Sequence, residues 1–216
     1  NGFYDIEAID FISSYSHTAD EFIISEERAS VSGSTSFIHL IRFNDTTTSI
    51  TKGGSGHIAS NELTSLTKNS PNQGIEAIAY NPVDGRIYFV LQASVGAAVN
   101  WYVYYIEGIY DTTPKVFTDI YGIGLSEVRD MCIDINTNTI IFAGYYGSVS
   151  DGRLAKISLS DGEWIEEGTT VSSSIQQLEG ICISIDGNAL FLTGEDASNG
   201  ADIVGLFRND LTNPFI

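Results

Sequence analysis

The sequence is poor in basic residues and has no long apolar run. Ten Lys and Arg residues stand against 28 Asp and Glu residues, which gives a formal net charge of −18. A surface of this charge repels phosphate backbones and anionic lipid and favours cations or basic partners. No apolar run approaches the roughly 18–20 residues that a membrane helix needs. We therefore expect neither a nucleic-acid partner nor membrane insertion.

The sequence starts at Asn1 rather than Met and no signal peptide remains in it, so we expect a processed or trimmed product. Its acids are accompanied by many Ser, Thr, Asn and Gly residues and by one glycosylation-type sequon, Asn44-Asp45-Thr46. These features favour a secreted, periplasmic or surface-displayed protein. With 43% hydrophobic and 11% aromatic residues over 216 positions, the chain suits one folded all-β domain rather than a disordered segment.

One two-strand pattern occurs four times. The copy at 74–92, GIEAIAYNPVDGRIYFVLQ, has counterparts at 4–27, 127–147 and 177–196. The aligned positions are Ile6, Ile75, Val128 and Leu178, then Glu7, Glu76, Arg129 and Glu179, then Phe22, Tyr88, Ile141 and Phe191 in the second run, which ends at Glu26, Gln92, Tyr145 and Glu195. Four copies of one pattern indicate a repeat protein.

Each copy continues with a third apolar stretch and most continue with a Ser/Thr-rich fourth one, as at 153–159 and 162–170. Alternating polarity, β-branched and aromatic side chains and Asp-Gly turns all indicate β-strands. Four strands in a unit of about 50 residues are typical of a β-propeller blade. The predicted fold is an all-β propeller of about four four-stranded antiparallel blades, forming one domain over 1–216 with blades at 4–73, 74–126, 127–176 and 177–216.

The number of blades leaves two arrangements open. Little sequence follows Asn209 to supply an outermost strand for the fourth blade. The ring therefore either closes with four blades and a ragged seam or belongs to a longer propeller. We expect closure, because an open ring would leave apolar blade faces in water.

The repeat cores resemble a known family. The tetrapeptides that begin at Ile6, Ile75 and Leu178, with Ser25-Glu26-Glu27 and Gly194-Glu195-Asp196 at the ends of the second runs, are similar to the SdiA-regulated family of bacterial propellers. More distantly, they resemble the esterase-like phytase and other calcium-associated propellers. The resemblance covers about half of the chain. It implies a propeller with acids near the channel mouth and with calcium as a candidate ligand, but no activity, because one fold hosts many functions.

Three acids of the repeat are expected to meet at the channel mouth. The first strand of a blade lies nearest the axis and its alternate side chains share a face, so Glu7, Glu76 and Glu179 would project at equivalent levels. Their carboxylates would repel one another unless a positive group intervenes. One such group is Ca²⁺, for which the candidate oxygen ligands are Glu7, Glu26, Glu76, Gln92, Glu179 and Glu195.

The other candidate positive group is Arg129, which takes the same position in the remaining copy. Its guanidinium can bridge two carboxylates with fork geometry and so pin neighbouring blades. We favour such a structural network, made of Glu7, Glu76, Arg129 and Glu179, over a cation site and over a small-ligand pocket. Asp130 or Glu127 could replace the missing ligand if a metal is bound.

The two cysteines, Cys132 and Cys182, occupy matching places in adjacent copies. Equivalent side chains point the same way around a ring, so a disulfide is not expected and two reduced, buried thiols are predicted.

Two aromatic stretches are candidate ligand sites. The alternating run Trp101-Tyr102-Val103-Tyr104-Tyr105 is expected to fill the core between blades. Tyr145 and Tyr146, near a strand end, are the better candidates for stacking on a sugar or holding a peptide.

The sequence contains few patterns that are typical of catalytic sites. His17, His39 and His57 are scattered through the first copy without metal-type spacing, so no zinc site is expected. The string Gly53–His57 is interpreted as a flexible loop, because catalytic triads assemble from distant positions. No catalytic residue is assigned from the sequence.

The function predicted from these patterns is a non-catalytic binding or assembly propeller module of an extracytoplasmic or surface-displayed protein. Its expected partner is a protein or a carbohydrate at the blade tops or rim, and exposed strand edges could support self-assembly. The alternative is a calcium-dependent hydrolase of the phytase or lactonase type, acting at the channel mouth. The binding module is preferred because no base, nucleophile and electrophile can be named together.

Overall fold

A computed structural model describes residues 3, 6–16, 19–26, 36–44, 49–63, 74–91, 102–171, 177–184, 186–195 and 202–208. Within these ranges all regular structure is β, in fifteen strands that form four antiparallel sheets. The all-β prediction is confirmed. The described residues contain no helix that is long and apolar enough to cross a membrane.

The first two sheets follow chain order. Blade 1 has strands β1 (Ile6–Ser16), β2 (Ala19–Glu26), β3 (Phe37–Asn44) and β4 (His57–Glu62). Blade 2 has strands β5 (Ile75–Tyr80), β6 (Ile87–Leu91), β7 (Tyr102–Ile106) and β8 (Lys115–Asp119). Each strand lies beside its chain neighbour, which is the up-and-down order expected for a propeller blade.

The other two sheets repeat this order. Blade 3 has strands β9 (Glu127–Asp134), β10 (Thr139–Tyr146), β11 (Ser148–Ser158) and β12 (Trp164–Thr170). Blade 4 is described with three strands, β13 (Leu178–Ile183), β14 (Ala189–Glu195) and β15 (Asp202–Arg208). The predicted Asp-Gly turns lie where strands reverse, and Gly85, Gly162 and Gly187 there have positive φ, which glycine adopts without strain.

The chain divides into two compact units, Asn1–Phe117 and Thr118–Ile216. In unit 1, blades 1 and 2 are joined between their first strands, where the Asp10 carboxylate accepts the backbone N–H of Tyr80 at 2.6 Å. In unit 2 the same device appears, because the Asp130 carboxylate accepts the N–H of Ile181 at 2.9 Å. The single-domain boundaries and the closure of the ring stay predictions.

Each first strand carries a β-bulge at the same place. The pairing with the second strand skips one residue after Ile6, Ile75, Val128 and Leu178. The skipped residues are the aligned positions Glu7, Glu76, Arg129 and Glu179. A bulge re-aims a side chain relative to the regular pleat, so these four side chains are distinguished by backbone geometry as well as by sequence alignment.

The second strand of blade 1 is out of step with the sequence alignment by one residue. Ile6 pairs with Glu26, whereas the equivalent Ile75 pairs with Leu91 and Leu178 pairs with Gly194. The structural equivalent of Tyr88 is therefore Ile23 and not Phe22. A shift of one residue moves a side chain to the opposite face of a sheet, and Glu26 consequently shares a face with β3 and β4 residues such as His39.

Burial differs between the blades. Ile78, Tyr88 and Phe89 of blade 2 are fully buried, as are Ile141 and Phe142 of blade 3. Blade 4 buries Ile181, Leu190 and Leu192 against blade 3 but leaves Phe191 and Cys182 exposed. Neither cysteine forms a disulfide, as predicted. The predicted burial holds for Cys132 and is wrong for Cys182, because the latter lies opposite Phe191 on the outer face.

The predicted aromatic filling of blade 2 is partly visible. Tyr104 stacks on the buried Phe89 at 5.6 Å between ring centroids, and Tyr105 lies 5.9 Å from Tyr88. Val103 is fully buried. Trp101 lies outside the described residues.

Candidate functional site

Unit 1 contains a cluster of polar side chains at one end of blade 1, on the outer face of its sheet, which is the face turned away from blade 2. This histidine cluster consists of Glu26, His39, Lys52, His57 and Ser60. Three adjacent strands and the turn before β4 supply it: Glu26 ends β2, His39 lies in β3, and His57 and Ser60 belong to β4. The direct cross-strand pair between His39 and Ser60 brings their side chains to the same face.

Glu26 is the anionic centre of the cluster. Its side chain is fully buried, and its Oε2 lies 2.5 Å from Lys52 Nζ and 3.1 Å from His39 Nε2. A carboxylate taken out of water is costly unless it is paired and hydrogen-bonded, and Glu26 meets both conditions. The Lys52 ammonium is about a quarter exposed, so the pair connects the sheet interior to solvent.

The hydrogen bonds assign the protons of both imidazoles. His39 Nε2 lies beside the Glu26 carboxylate and therefore carries a proton, which leaves Nδ1 as an acceptor. His57 Nδ1 accepts the backbone N–H of Gly53 at 3.1 Å, so its Nε2 carries the proton. His39 Nδ1 and His57 Nε2 each lie 3.0 Å from Ser60 Oγ and 3.3 Å from each other.

Both histidines are held in the neutral form. Burial lowers the pKa of His39 to about 4, and the adjacent Glu26 offsets that effect only in part. Burial, followed by the nearby Lys52 charge, also lowers the pKa of His57. An imidazole that is neutral at physiological pH can accept a proton, which a protonated one cannot.

Aromatic rings enclose the imidazole of His39. Phe37 stacks on it with ring centroids 5.7 Å apart, and Phe3 meets it edge-on at 5.0 Å. Phe3 also lies 5.9 Å from the ring of His57. Lys52 Nζ is placed 4.8 Å from the Phe37 centroid, within cation–π range.

Sequence reasoning missed this cluster. The expectation that the histidines are scattered is wrong for His39 and His57, whose rings are in contact. The interpretation of His57 as a loop residue is also wrong, because it starts β4 and pairs with Ile41. His17 lies outside the described residues. The sequence feature that could have indicated the cluster is the polar pattern of β4, HIASNE. The register in which β4 pairs with β3 could not be predicted from the sequence alone.

Unit 2 contains a second polar cluster at the start of β9 and the end of β10. This arginine cluster consists of Glu127, Arg129, Tyr145 and Glu179. Arg129 Nη2 lies 2.8 Å from Glu127 Oε1 and donates to Tyr145 Oη at 3.0 Å, while its Nε is 3.8 Å from Glu179 Oε2 in blade 4. The Tyr145 hydroxyl donates to the Glu127 carboxylate. Burial, followed by this donation, raises the pKa of Tyr145, so the phenol keeps its proton.

The remaining predicted site residues divide by unit. Glu7 is exposed and Glu76 is buried in unit 1. Gln92 and the Glu195 side chain lie outside the described residues. Tyr146 is half exposed, with the Arg153 guanidinium 4.5 Å from its ring centroid. Within unit 2, Arg129 contacts Glu179, which is one contact of the predicted four-residue ring. The full ring and its metal ligands stay predictions.

The described residues contain no group of three or more His, Cys, Asp or Glu side chains arranged to hold a metal ion. In the histidine cluster the nitrogens that could bind a metal are instead engaged with Glu26, Ser60 and Gly53. The cluster is therefore a hydrogen-bonded chain in which each proton has an assigned donor and acceptor. Its polar atoms connect a buried carboxylate to an exposed hydroxyl.

Comparison with known proteins identifies the fold. No protein-family model and no curated sequence matches the chain. Among solved structures, a chain of a nidogen/laminin complex has a TM-score of 0.51 at 15% identity, covering 82% of this chain and 56% of that one. TolB from Acinetobacter baumannii has a TM-score of 0.50 at 13% identity, covering 94% and 42%.

Regucalcin from Agrobacterium tumefaciens, described as a calcium-binding protein, has a TM-score of 0.50 at 16% identity and covers 87% of this chain and 52% of its own. This chain spans about half the length of these three structures. The likenesses identify the β-propeller fold predicted from the repeats. The SdiA-regulated family itself stays a prediction, and a shared fold at this identity carries no function with it.

Proposed function

We propose that the chain is a propeller module that binds a basic protein partner through the outer face of blade 1. This face is the side of the β1–β4 sheet that is turned away from blade 2. Asp10 and Asn61 lie on the opposite side, where they bond to the backbone of Tyr80 and of Asp111 in blade 2. The outer face therefore does not take part in the packing of blade 1 on blade 2.

The observation that supports the proposal is a row of exposed apolar side chains on this face. Ile9, Phe11 and Phe43 are 57%, 44% and 41% exposed. Phe22 lies between the two phenylalanines, with ring centroids 5.5 Å from Phe11 and 5.7 Å from Phe43. Contiguous exposed aromatic surface marks interaction sites in soluble proteins, because its burial is worth about 25 cal/mol per Å².

Charge selects the kind of partner. The net charge of −18 makes a second copy of this chain an unfavourable occupant, since like charges repel across an interface. Exposed Asp20 and Glu62 lie at the margins of the same face, opposite Phe43 and Phe37 in the strand register. A protein surface with an apolar centre and surrounding Lys and Arg would complement this arrangement.

The setting of the module is proposed to be extracytoplasmic, on the basis of the acidic composition and the sequon noted above. The likeness to a chain crystallised in a nidogen/laminin complex accords with protein binding by this fold. Carbohydrate stacking at Tyr146, self-assembly through strand edges and calcium-dependent hydrolysis stay predictions.

Peptide display tests the docking face. A random peptide library would be selected on the purified chain and the recovered peptides measured for binding to matched variants. We expect sequences that combine apolar residues with Lys or Arg, and binding at least tenfold weaker to a Phe11→Ser/Phe43→Ser variant. The control is Val83→Ser, which removes an exposed apolar side chain from a turn of blade 2. Peptides that bind the double variant as well as the wild type would overturn the proposal.

A further inference from the structure

The histidine cluster presents a serine hydroxyl on its solvent side. Ser60 is exposed, whereas His39 and Glu26 behind it are fully buried. The order carboxylate, imidazole, hydroxyl is fixed by two distances, 3.1 Å from Glu26 to His39 and 3.0 Å from His39 to Ser60. We propose that Ser60 is a nucleophile, activated by His39 and Glu26, that cleaves small neutral carboxylic esters.

The hydrogen-bond directions support this assignment. His39 donates its Nε2 proton to Glu26, so its Nδ1 lone pair is available to the Ser60 O–H. His57 carries its proton on Nε2, which lies 3.0 Å from Ser60 Oγ and 3.3 Å from His39 Nδ1. We assign its donation to the nearer serine oxygen, which directs the Ser60 proton towards His39. The buried carboxylate fixes the tautomer and orientation of the imidazole, which is the role of the acid in a serine triad.

The roles of the two imidazole nitrogens differ from the serine-protease arrangement. Here Nδ1 of His39 contacts the serine and Nε2 contacts the carboxylate, the reverse of the usual assignment. Both nitrogens are equivalent as acceptors once the other is protonated, so the proton transfer is chemically the same. Geometry and roles, rather than chain order or ring position, define such a site.

The proposed reaction balances without a further reagent. Ser60 Oγ attacks the ester carbonyl carbon as its proton passes to His39 Nδ1, giving a tetrahedral oxyanion. The bond to the alkoxy oxygen then breaks, and the leaving alcohol takes the proton from His39. Water repeats the sequence on the acyl-serine, with His39 as base, and releases the carboxylic acid. During both steps Glu26 stabilises the protonated imidazole.

The surroundings select the substrate. His57 Nε2–H, 3.0 Å from Ser60 Oγ, places a donor beside the reacting centre, where negative charge develops. Phe3 and Phe37 line the cluster with apolar surface suited to a short acyl chain. The strongly acidic protein repels anionic substrates, so a neutral ester is favoured over a phosphate ester.

Covalent labelling of the whole chain tests the proposal. The probes are a fluorophosphonate and p-nitrophenyl acetate, with the modified residue identified by peptide mass. We expect labelling at Ser60, lost in Ser60→Ala and at least about a hundredfold slower in His39→Gln. The internal control is Ser55, an exposed serine of the preceding turn, read from the same digest. Labelling of Ser60 no faster than that of Ser55 would overturn the proposal even if His39→Gln fails to fold.

The pH dependence separates an activated serine from a merely hydrogen-bonded one. Because His39 has a pKa of about 4, it is already neutral across pH 6 to 8 and the labelling rate should stay level. A serine that depends on hydroxide would instead react roughly tenfold faster per pH unit, and that profile would contradict the role given to His39.

Discussion

The histidine cluster of unit 1 and the arginine cluster of unit 2 occupy corresponding ends of their blades, yet they neutralise carboxylates with different chemistry. In unit 1, Glu26 meets Lys52 and a neutral imidazole. In unit 2, Glu127 meets Arg129 and the phenol of Tyr145. Both clusters bring a cation and a neutral donor to one carboxylate, but a neutral imidazole has a second nitrogen that can accept a proton, whereas the phenol keeps the proton that it has.

This difference distinguishes a cluster that can take part in proton transfer from one that only stabilises the strands. Arginine stays protonated in proteins and the Tyr145 phenol keeps its proton, so the arginine cluster can hold strands but cannot relay a proton. The histidine cluster has an imidazole that accepts protons and an exposed hydroxyl at its end. Corresponding ends of two blades thus carry a structural network in one unit and a candidate reactive site in the other.

The largest expected effect comes from removing each central carboxylate. Glu26→Leu should lower the free energy of unfolding by about 3 kcal/mol, because buried His39 and the Lys52 ammonium lose their partner. Glu127→Leu should cost about 1 kcal/mol, since its cluster is partly exposed and water can replace the lost bonds. Urea unfolding followed by circular dichroism measures both. Equal losses would remove the distinction between the two clusters.

The carboxylates that join neighbouring first strands should behave alike in both units. Asp10→Ala and Asp130→Ala each leave a backbone N–H of the adjacent blade without its acceptor, at a cost of about 1–3 kcal/mol. Glu163→Ala, on an exposed turn, is the control and should change stability by less than about 0.5 kcal/mol. Unfolding midpoints report all three. If either substitution leaves the stability unchanged, the two units do not share this contact between first strands.

Two groups of unit 1 should give opposite pH dependence. Burial raises the pKa of Asp10 from 3.8 to about 6, so its contribution to stability is full below pH 3.8 and is lost as pH rises through 6. Burial lowers the pKa of His39 from 6.5 to about 4, so its contribution is full above pH 6.5 and is lost as pH falls through 4. The groups facing His39 are Glu26, Lys52 and His57.

Substituting each group should reveal its contribution to the pH dependence of the free energy of unfolding. Between pH 4 and 6, Asp10→Asn should gain stability with rising pH relative to wild type, and His39→Gln should lose it, each by about 1–2 kcal/mol. Urea unfolding at several pH values gives the difference from wild type, in which the other carboxylates cancel. Parallel profiles for the three proteins would contradict the assigned shifts.

The fold could be predicted because its causes are local and repeated. Alternating polarity, Asp-Gly turns and four aligned copies indicated antiparallel blades, and the aligned Glu7, Glu76, Arg129 and Glu179 all proved to lie in bulges. Single-residue register was harder to predict. The alignment of β2 by its aromatic residues placed Phe22 where the pairing places Ile23, and it aligned Glu26 with Gln92 although the pairing makes Glu26 equivalent to Leu91.

To predict the candidate site, the register of the strands had to be known. His39 and Ser60 are 21 residues apart and meet because β4 pairs with β3 in one register. Lys52 reaches Glu26 from the turn before β4, a contact that depends on the path of a loop. Such contacts have no signature in spacing, whereas Arg129 could be singled out from the sequence because it replaces an acid at an aligned position. The network predicted for it stays a prediction.

The smallest expected effect concerns the contact between blades 3 and 4. Arg129 Nε and Glu179 Oε2 are 3.8 Å apart and Glu179 is 40% exposed, so solvent screens the pair. A double-mutant cycle with Arg129→Met and Glu179→Gln should give a coupling free energy below about 0.5 kcal/mol. Arg129→Met alone should cost more, because it also removes the bonds to Glu127 and Tyr145. A coupling above about 1 kcal/mol would mean that Glu179 belongs to the arginine cluster as firmly as Glu127, which would favour the predicted network across blades.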